Sequence, residues 1–186
     1  MPILKKENDI YPESLFSDPA LYDARDRNWW CLYTRSRQEK ELNRRLLTHQ
    51  IAYYCPTIPK RYRSPNGRIR TSYIPLFPNY VFMLGNEDER IDALTSNCIS
   101  RCTLVTEREQ FVEDLCQIRQ LVLKGVPLTP EGKLEPGQRV RVKNGPFIGY
   151  EGVVIRREGK TRFLLALRFL EKGVSMELDE GSLEPL

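Results

Sequence analysis

Between Lys60 and Tyr73 the chain carries Lys60, Arg61, Tyr62, Arg63, Arg68, Arg70 and Tyr73, with no acidic residue among them. Cations and rings mixed in this way suit one chemistry. Guanidinium groups clamp phosphates or read base edges with a fixed fork of donors, and an aromatic face accepts an unpaired base whatever its identity. The candidate ligand is single-stranded nucleic acid. A second cationic set, Arg141, Lys143, Arg156, Arg157, Lys160 and Arg162, lies nearer the C-terminus and can form an edge that faces RNA or protein. A third set is apolar. Tyr33, Tyr53, Tyr54, Phe77, Tyr80 and Phe82 can supply the desolvated centre of a protein-docking patch, the part of an interface that carries most of the affinity. Alternation along a strand puts Tyr80 and Phe82 on one face and Val81 on the other, so one of those sets belongs to the core.

Catalytic chemistry finds little to work with. His49 is the only imidazole, at the expected end of a helix, where a contact with the helix dipole accounts for it. The chain has no His-Glu-x-x-His string, Cys-x-x-Cys pair, Walker loop or Gly-x-Gly-x-x-Gly element, and the glycines at 145, 149 and 152 fit neither nucleotide loop. Five cysteines, Cys31, Cys55, Cys98, Cys102 and Cys116, are thinly spread, which argues for reduced thiols rather than a disulfide framework or structural zinc. No catalytic residue, metal or cofactor is expected.

The 186 residues include 29 Lys or Arg and 25 Asp or Glu, a formal charge of +4, with 40% hydrophobic and 29% charged residues. That is ordinary globular composition, far from that of a disordered chain. No window approaches the roughly 18 apolar residues of a membrane span, and Met1–Glu7 lacks the apolar run of a secretion signal. A soluble cytoplasmic protein without a membrane partner is expected. The small net charge conceals an uneven layout. Residues 29–85 hold ten basic and two acidic groups, whereas residues 86–136 hold six basic and ten acidic. The first excess lies where the hairpin cations are.

Elements must position these groups. The polar stretch to Asn28, with Pro12 and Pro19 and no sustained period, reads as a flexible arm over 1–28. Trp29–Tyr33 suits a buried strand. Ser36 and Glu39 have capping-box spacing and Leu42, Leu46 and Leu47 form a stripe, so a helix is predicted over 37–49. A strand at 51–56 follows. Ser64-Pro65-Asn66-Gly67 is the strongest turn in the chain and makes the basic stretch a hairpin with its tip there. Tyr80–Leu84 is apolar enough for a central strand, and Ile99–Val105 reads as another. Asn86 with Glu89, and Thr106 with Glu109, predict helices at 87–95 and 107–122, the second with Phe111, Leu115, Ile118 and Val122 as its buried stripe.

The order strand–helix–strand–strand–helix–strand–helix is that of a split βαβ, ferredoxin-like sheet over 29–123, so the fold class is α+β. Residues 124–137 contain three Pro and three Gly and read as a linker. Short strands and turns over 138–186 predict a small β-barrel. Its 49 residues fall below the roughly 70–80 at which one core becomes comfortable, so it should lean on a neighbour. Gly145, Gly149 and Gly152 allow tight turns or close backbone approach there, and Phe147 is expected to plug the loop.

The residues then carry a resemblance. Gly137-Gln138-Arg139-Val140-Arg141-Val142-Lys143-Asn144-Gly145-Pro146-Phe147-Ile148-Gly149-Tyr150-Glu151-Gly152-Val153-Val154 resembles the KOW module of the NusG family of transcription elongation factors. Trp29–Arg35, Glu39-Lys40 and Leu76–Phe82 resemble the start, first helix and proline–tyrosine strand of that family's N-terminal (NGN) domain. The resemblance covers 29–186 in the family order. It implies a non-catalytic factor, monomeric when free, whose NGN domain docks on bacterial RNA polymerase and whose hairpin region meets the non-template DNA strand or nascent RNA. It implies a KOW barrel that recruits a small-subunit ribosomal protein, a termination factor or RNA. The long basic insertion before Ile74 resembles specialised antiterminator relatives, which act at selected operons. The alternative reading is a ribosome-associated or general RNA-binding KOW protein. One relative refolds its barrel into helices, but the β-branched Val140, Val142, Val153, Val154 and Ile155 favour a constitutive barrel here.

Overall fold

In the computed structural model, which describes residues 6–22, 26–63, 67–131, 137–157, 160–178 and 182–186, the apolar runs at Trp29 and Tyr80 become neighbouring central strands. Two compact units divide between Thr106 and Glu107. The first contains β1 (Ile10–Tyr11), α1 (Pro19–Tyr22), β2 (Asn28–Thr34), α2 (Glu39–Thr48), β3 (Ala52–Tyr54), β4 (Thr57–Arg63), β5 (Ile69–Pro75), β6 (Tyr80–Gly85), α3 (Glu87–Thr95) and β7 (Ile99–Leu104). Five strands form one sheet in the order β1-β3-β6-β2-β7, with all neighbours antiparallel. Without β1 this is the ferredoxin-like order. Strands β4 and β5 form a separate two-stranded ribbon.

The central strands β2 and β6 are covered on both faces over most of their length, which explains their largely apolar runs. On one face Leu32, Tyr53, Val81 and Met83 pack with Leu42 and Leu46 of α2 and Ala93 of α3. On the other, the Phe16 ring stacks on Trp29 at 5.9 Å and meets Tyr54 edge-on at 5.1 Å, while Phe77 meets Phe82 at 6.0 Å. The arm expected over 1–28 is therefore part of the fold where it is described. Ile10 and Tyr11 pair with Tyr54 and Tyr53, and Leu15 is wholly buried. Two polar-flanked residues are too short a run to announce a strand.

Capping differs between the helices. Asn86 and Glu89 form the reciprocal box at α3. Ser36 does not cap α2, which starts from Gln38 with no side-chain cap bond, because the Glu39 carboxylate is buried and accepts the Asn79 N–H at 2.8 Å instead. That bond fixes Asn79 in a left-handed turn, with φ +68°, just ahead of β6.

The second unit contains α4 (Arg108–Leu123), β8 (Thr129–Glu131), β9 (Gln138–Val142), β10 (Glu151–Arg157), β11 (Lys160–Leu167), a 3-10 turn at Arg168–Leu170, β12 (Lys172–Glu177) and β13 (Leu183–Pro185). Its strands form an antiparallel six-stranded sheet, ordered β13-β9-β10-β11-β12-β8. Part of the expected linker is thus strand β8. Helix α4, grouped with the first domain on the sequence, makes its contacts with β11 and the 3-10 turn. Its N-cap is Glu107 without a side-chain bond, so the Thr106–Glu109 box does not form. Gly145 and Gly149 take φ of +85° and +87°, and a Cβ on Gly152 would lie 2.4 Å from the Leu164 carbonyl oxygen. Phe147 is buried between these turns.

Candidate nucleic-acid and protein interfaces

Register assigns the hairpin side chains to two faces. Lys60 is opposite Ser72 and Tyr62 opposite Arg70, so Lys60, Tyr62 and Arg70 share one face. Arg61, Arg63, Ile69, Thr71 and Tyr73 lie on the other. Tyr62 is 47% exposed, and Lys60, Arg61, Arg63, Arg68 and Arg70 are all exposed. Among the described residues none of these five cations forms an ion pair. The two rings differ. Tyr62 stands open between two cations, whereas Tyr73 is half-buried with the Lys6 ammonium 5.7 Å from its centroid. The tip at 64–66 lies outside the described residues, and Gly67 beside it has φ +74°.

The base of this ribbon is held by the N-terminal segment. Asp9 accepts the Cys55 N–H on its carbonyl at 2.7 Å and the Thr57 hydroxyl on its carboxylate at 2.9 Å, and Lys6 pairs with the same carboxylate at 2.9 Å. The Tyr53 hydroxyl donates to the Asn8 carbonyl at 3.1 Å. Glu7 takes both arms of the Arg44 guanidinium at 2.8 and 2.9 Å, which holds its carboxyl below the usual range. Sequence reasoning missed this group because its partners are 37 to 48 residues away and no local period marks them.

The aromatic set divides. Tyr53, Tyr54, Phe77 and Phe82 are core residues and cannot dock a partner, because the sheet is covered on both faces where they stand. Tyr33 and Tyr80 remain. They face each other across β2 and β6 at 5.1 Å, edge-on, and Tyr33 is 36% exposed. Arg101 is opposite Tyr33 on β7 and is exposed. This end of the face lies beyond the cover supplied by Phe16 and Phe77.

The second cationic set divides, with Arg141 and Arg162 engaged. Arg141 meets the Glu151 carboxylate at 2.6 Å, and Arg139 approaches the same group at 3.7 Å. Arg162 is not on an RNA-facing edge. Its side chain is 12% exposed and donates to the Ser175 hydroxyl and carbonyl and to the Thr129 hydroxyl at 2.8 to 3.0 Å. Ser175 in turn donates to Glu131 at 2.6 Å. Lys143 and Arg156 are exposed. The side chains of Arg157 and Lys160 lie outside the described residues. Among the described residues no group of three or more His, Cys, Asp or Glu is placed to hold a metal, and no helix is long and apolar enough to cross a membrane.

A family model described as NusG, transcription termination factor nusG, matches residues 27–119. The chain belongs to the NusG family. Members of this family are non-catalytic transcription factors, and the match spans the sheet, the hairpin and most of α4. The chain is accordingly a transcription factor of the elongation class. Its α+β architecture, an NGN-type sheet followed by a β-rich module, fits that membership. No curated protein matches. Among solved structures, the crystal structure of the MjSpt4:Spt5 complex, conformation B, is similar at 16% identity over 85% of this chain and 96% of that chain, with a TM-score of 0.25. That superposition is too poor to support any inference about this NusG-family chain.

Proposed function

We propose that this NusG-family protein is an elongation and antitermination factor. It docks on bacterial RNA polymerase and lays its basic hairpin on the exposed non-template DNA strand, suppressing pausing or termination at selected operons. The single observation behind this reading is the ribbon itself: five exposed cations without a described ion pair, and an open Tyr62 ring flanked by Lys60 and Arg70. Phosphates pair with the cations while one base stacks on the ring. The open strip of Tyr33, Tyr80 and Arg101 supports the docking half, since an aromatic pair beside a cation is the composition of an interface anchor. The NGN-like unit, which ends at Thr106, carries both contacts, and the KOW-like unit that follows recruits a ribosomal protein or termination factor.

The test is titration of the full chain into a labelled single-stranded DNA oligomer at several salt concentrations. Five neutralised phosphates give a log–log slope of roughly −3.5. Tyr62→Ala should weaken binding roughly 5- to 50-fold with the slope unchanged, and Tyr73→Ala much less. A slope near zero removes the hairpin reading. Tyr33→Ala/Tyr80→Ala should cut co-purification with core polymerase while leaving DNA binding intact.

A further inference from the structure

Resting on the hairpin reading above, we infer that Lys60, Tyr62 and Arg70 enclose a slot for one unpaired base, and that Arg70 makes guanine the base the slot prefers. Tyr62 supplies the stacking and Arg70 the choice.

The slot comes from strand geometry. Lys60 and Tyr62 are residues i and i+2 of β4, on one face and about 6.6–6.8 Å apart along the strand. That is twice the roughly 3.4 Å repeat of stacked bases, so one base fits between the Tyr62 ring and the aliphatic stem of Lys60. Across the ribbon Arg70 is opposite Tyr62, and Ser72 is opposite Lys60. Directly opposed residues have Cβ atoms only about 4.5–5.5 Å apart, so a base stacked on Tyr62 turns an edge toward the Arg70 guanidinium. Lys60, Tyr62 and Arg70 are all exposed, and among the described residues neither cation has an ion pair to give up. No second place on the described ribbon matches this one. Arg61 is opposite Thr71 and Arg63 opposite Ile69, so neither has a ring across from it. Tyr73 is opposite Pro59, half-buried, with the Lys6 ammonium 5.7 Å from its centroid.

Chemistry then picks the base. A guanidinium presents parallel N–H donors and is best met by two adjacent acceptors. Guanine offers O6 and N7 side by side, on a two-ring base with a large face to lay on Tyr62. Adenine replaces O6 with an amino donor, which opposes one of the two N–H groups, and thymine sets a methyl group beside O4. Cytosine has O2 next to N3 but only one ring to stack. On those bases Arg70 falls back on a phosphate, the fifth of the contacts behind the salt slope given above. The hairpin thus holds any strand through its cations and fixes one guanine in register through this slot.

The test is titration of the full chain with labelled single-stranded thymine oligomers that carry a single central G, A, C or T. The guanine oligomer should bind about tenfold more tightly than the other three. Inosine, which keeps O6 and N7, should match guanine, and 7-deazaguanine, which lacks N7, should bind like adenine. Arg70→Ala should erase the preference. Arg70→Lys, which keeps the charge without the fork, should retain affinity for the all-thymine oligomer and lose most of the preference. Arg61→Ala should weaken all four complexes alike and leave the preference intact. Equal affinity for the four bases while the salt slope holds would overturn the slot and leave the hairpin reading standing, whereas no salt slope with any oligomer would remove both. A preference for another base, or a guanine preference that survives Arg70→Ala, would overturn the assignment of guanine to Arg70.

Discussion

The hairpin and the β module both look cationic along the chain, yet their charges do opposite work. In the hairpin, Lys60, Arg61, Arg63, Arg68 and Arg70 stand on a ribbon of two strands with no carboxylate in described contact. In the module, Glu151 holds Arg141 and Arg139, and Arg162 is sunk among Thr129, Ser175 and Glu177. What separates them is the residue opposite. In the module Glu151 faces Arg141 and Glu177 faces Arg162 across paired strands, while the ribbon's other strand carries no acid. A cation's availability is a property of strand pairing rather than of local composition.

The comparison breaks most decisively at the ribbon. Replacing all five hairpin cations by Ala should cost roughly 1,000-fold in single-stranded DNA affinity at about 0.1 M salt, the electrostatic share of five phosphate contacts. Replacing Arg139, Arg141 and Arg156 should cost roughly tenfold or less, since Arg139 and Arg141 share the Glu151 carboxylate, which offsets one of their charges. Equal losses from the two sets, measured by anisotropy, would erase the distinction. Next in size is Arg162→Ala. It removes the guanidinium donor from the buried Ser175 hydroxyl and carbonyl and should destabilise the second unit by about 2–3 kcal/mol in urea denaturation, with DNA affinity unchanged. A neutral result would return Arg162 to the surface set.

These cases show where the chain is legible. Strands β2 and β6 are readable because a long apolar run has few other solutions, and α3 because Asn86 and Glu89 are three residues apart and satisfy each other locally. The hairpin cations are readable because their environment is local too. The aromatic set is not. Tyr33, Phe77 and Phe82 look alike in sequence, and only the packing of Phe16 and Phe77 onto the sheet decides that Phe82 is sealed while Tyr33 stays open. Helix α4 shows the same limit. Its stripe says that one face is buried, but a stripe is indifferent to whether a sheet upstream or a strand downstream covers it. Arg162 depends on residues 33 positions before it and 13 after it.

The anchoring of the ribbon gives a smaller effect. Asp9→Ala removes the carboxylate that holds the Thr57 hydroxyl and Lys6 at the start of β4. It should lower DNA affinity about threefold without altering the salt slope, because orientation is lost and no phosphate contact is. A changed slope would mean that Lys6 itself touches phosphate.

The smallest effect sharpens the contrast from the acid side. Asp114 is a buried carboxylate beside Arg168, the arrangement the hairpin lacks. Burial raises its carboxyl above the ordinary value, the nearby Glu113 pushes the same way, and the Arg168 N–H, the Arg168 guanidinium and Gln110 pull against them. The folded chain therefore binds this proton at higher pH than the unfolded chain does. Stability owed to Asp114 must then rise as pH falls through its raised folded value toward the ordinary one. Glu151, held low by Arg141, has the opposite sign and loses its contribution as pH falls. Comparing the unaltered chain with Asp114→Asn cancels Glu151, which both retain. The difference in unfolding free energy, unaltered minus variant, should be larger in urea titrations near the ordinary carboxylate range than at neutral pH. A flat difference would mean that Arg168 compensates the charge fully, and that a buried acid in the module is as well matched as the exposed cations of the ribbon are unmatched.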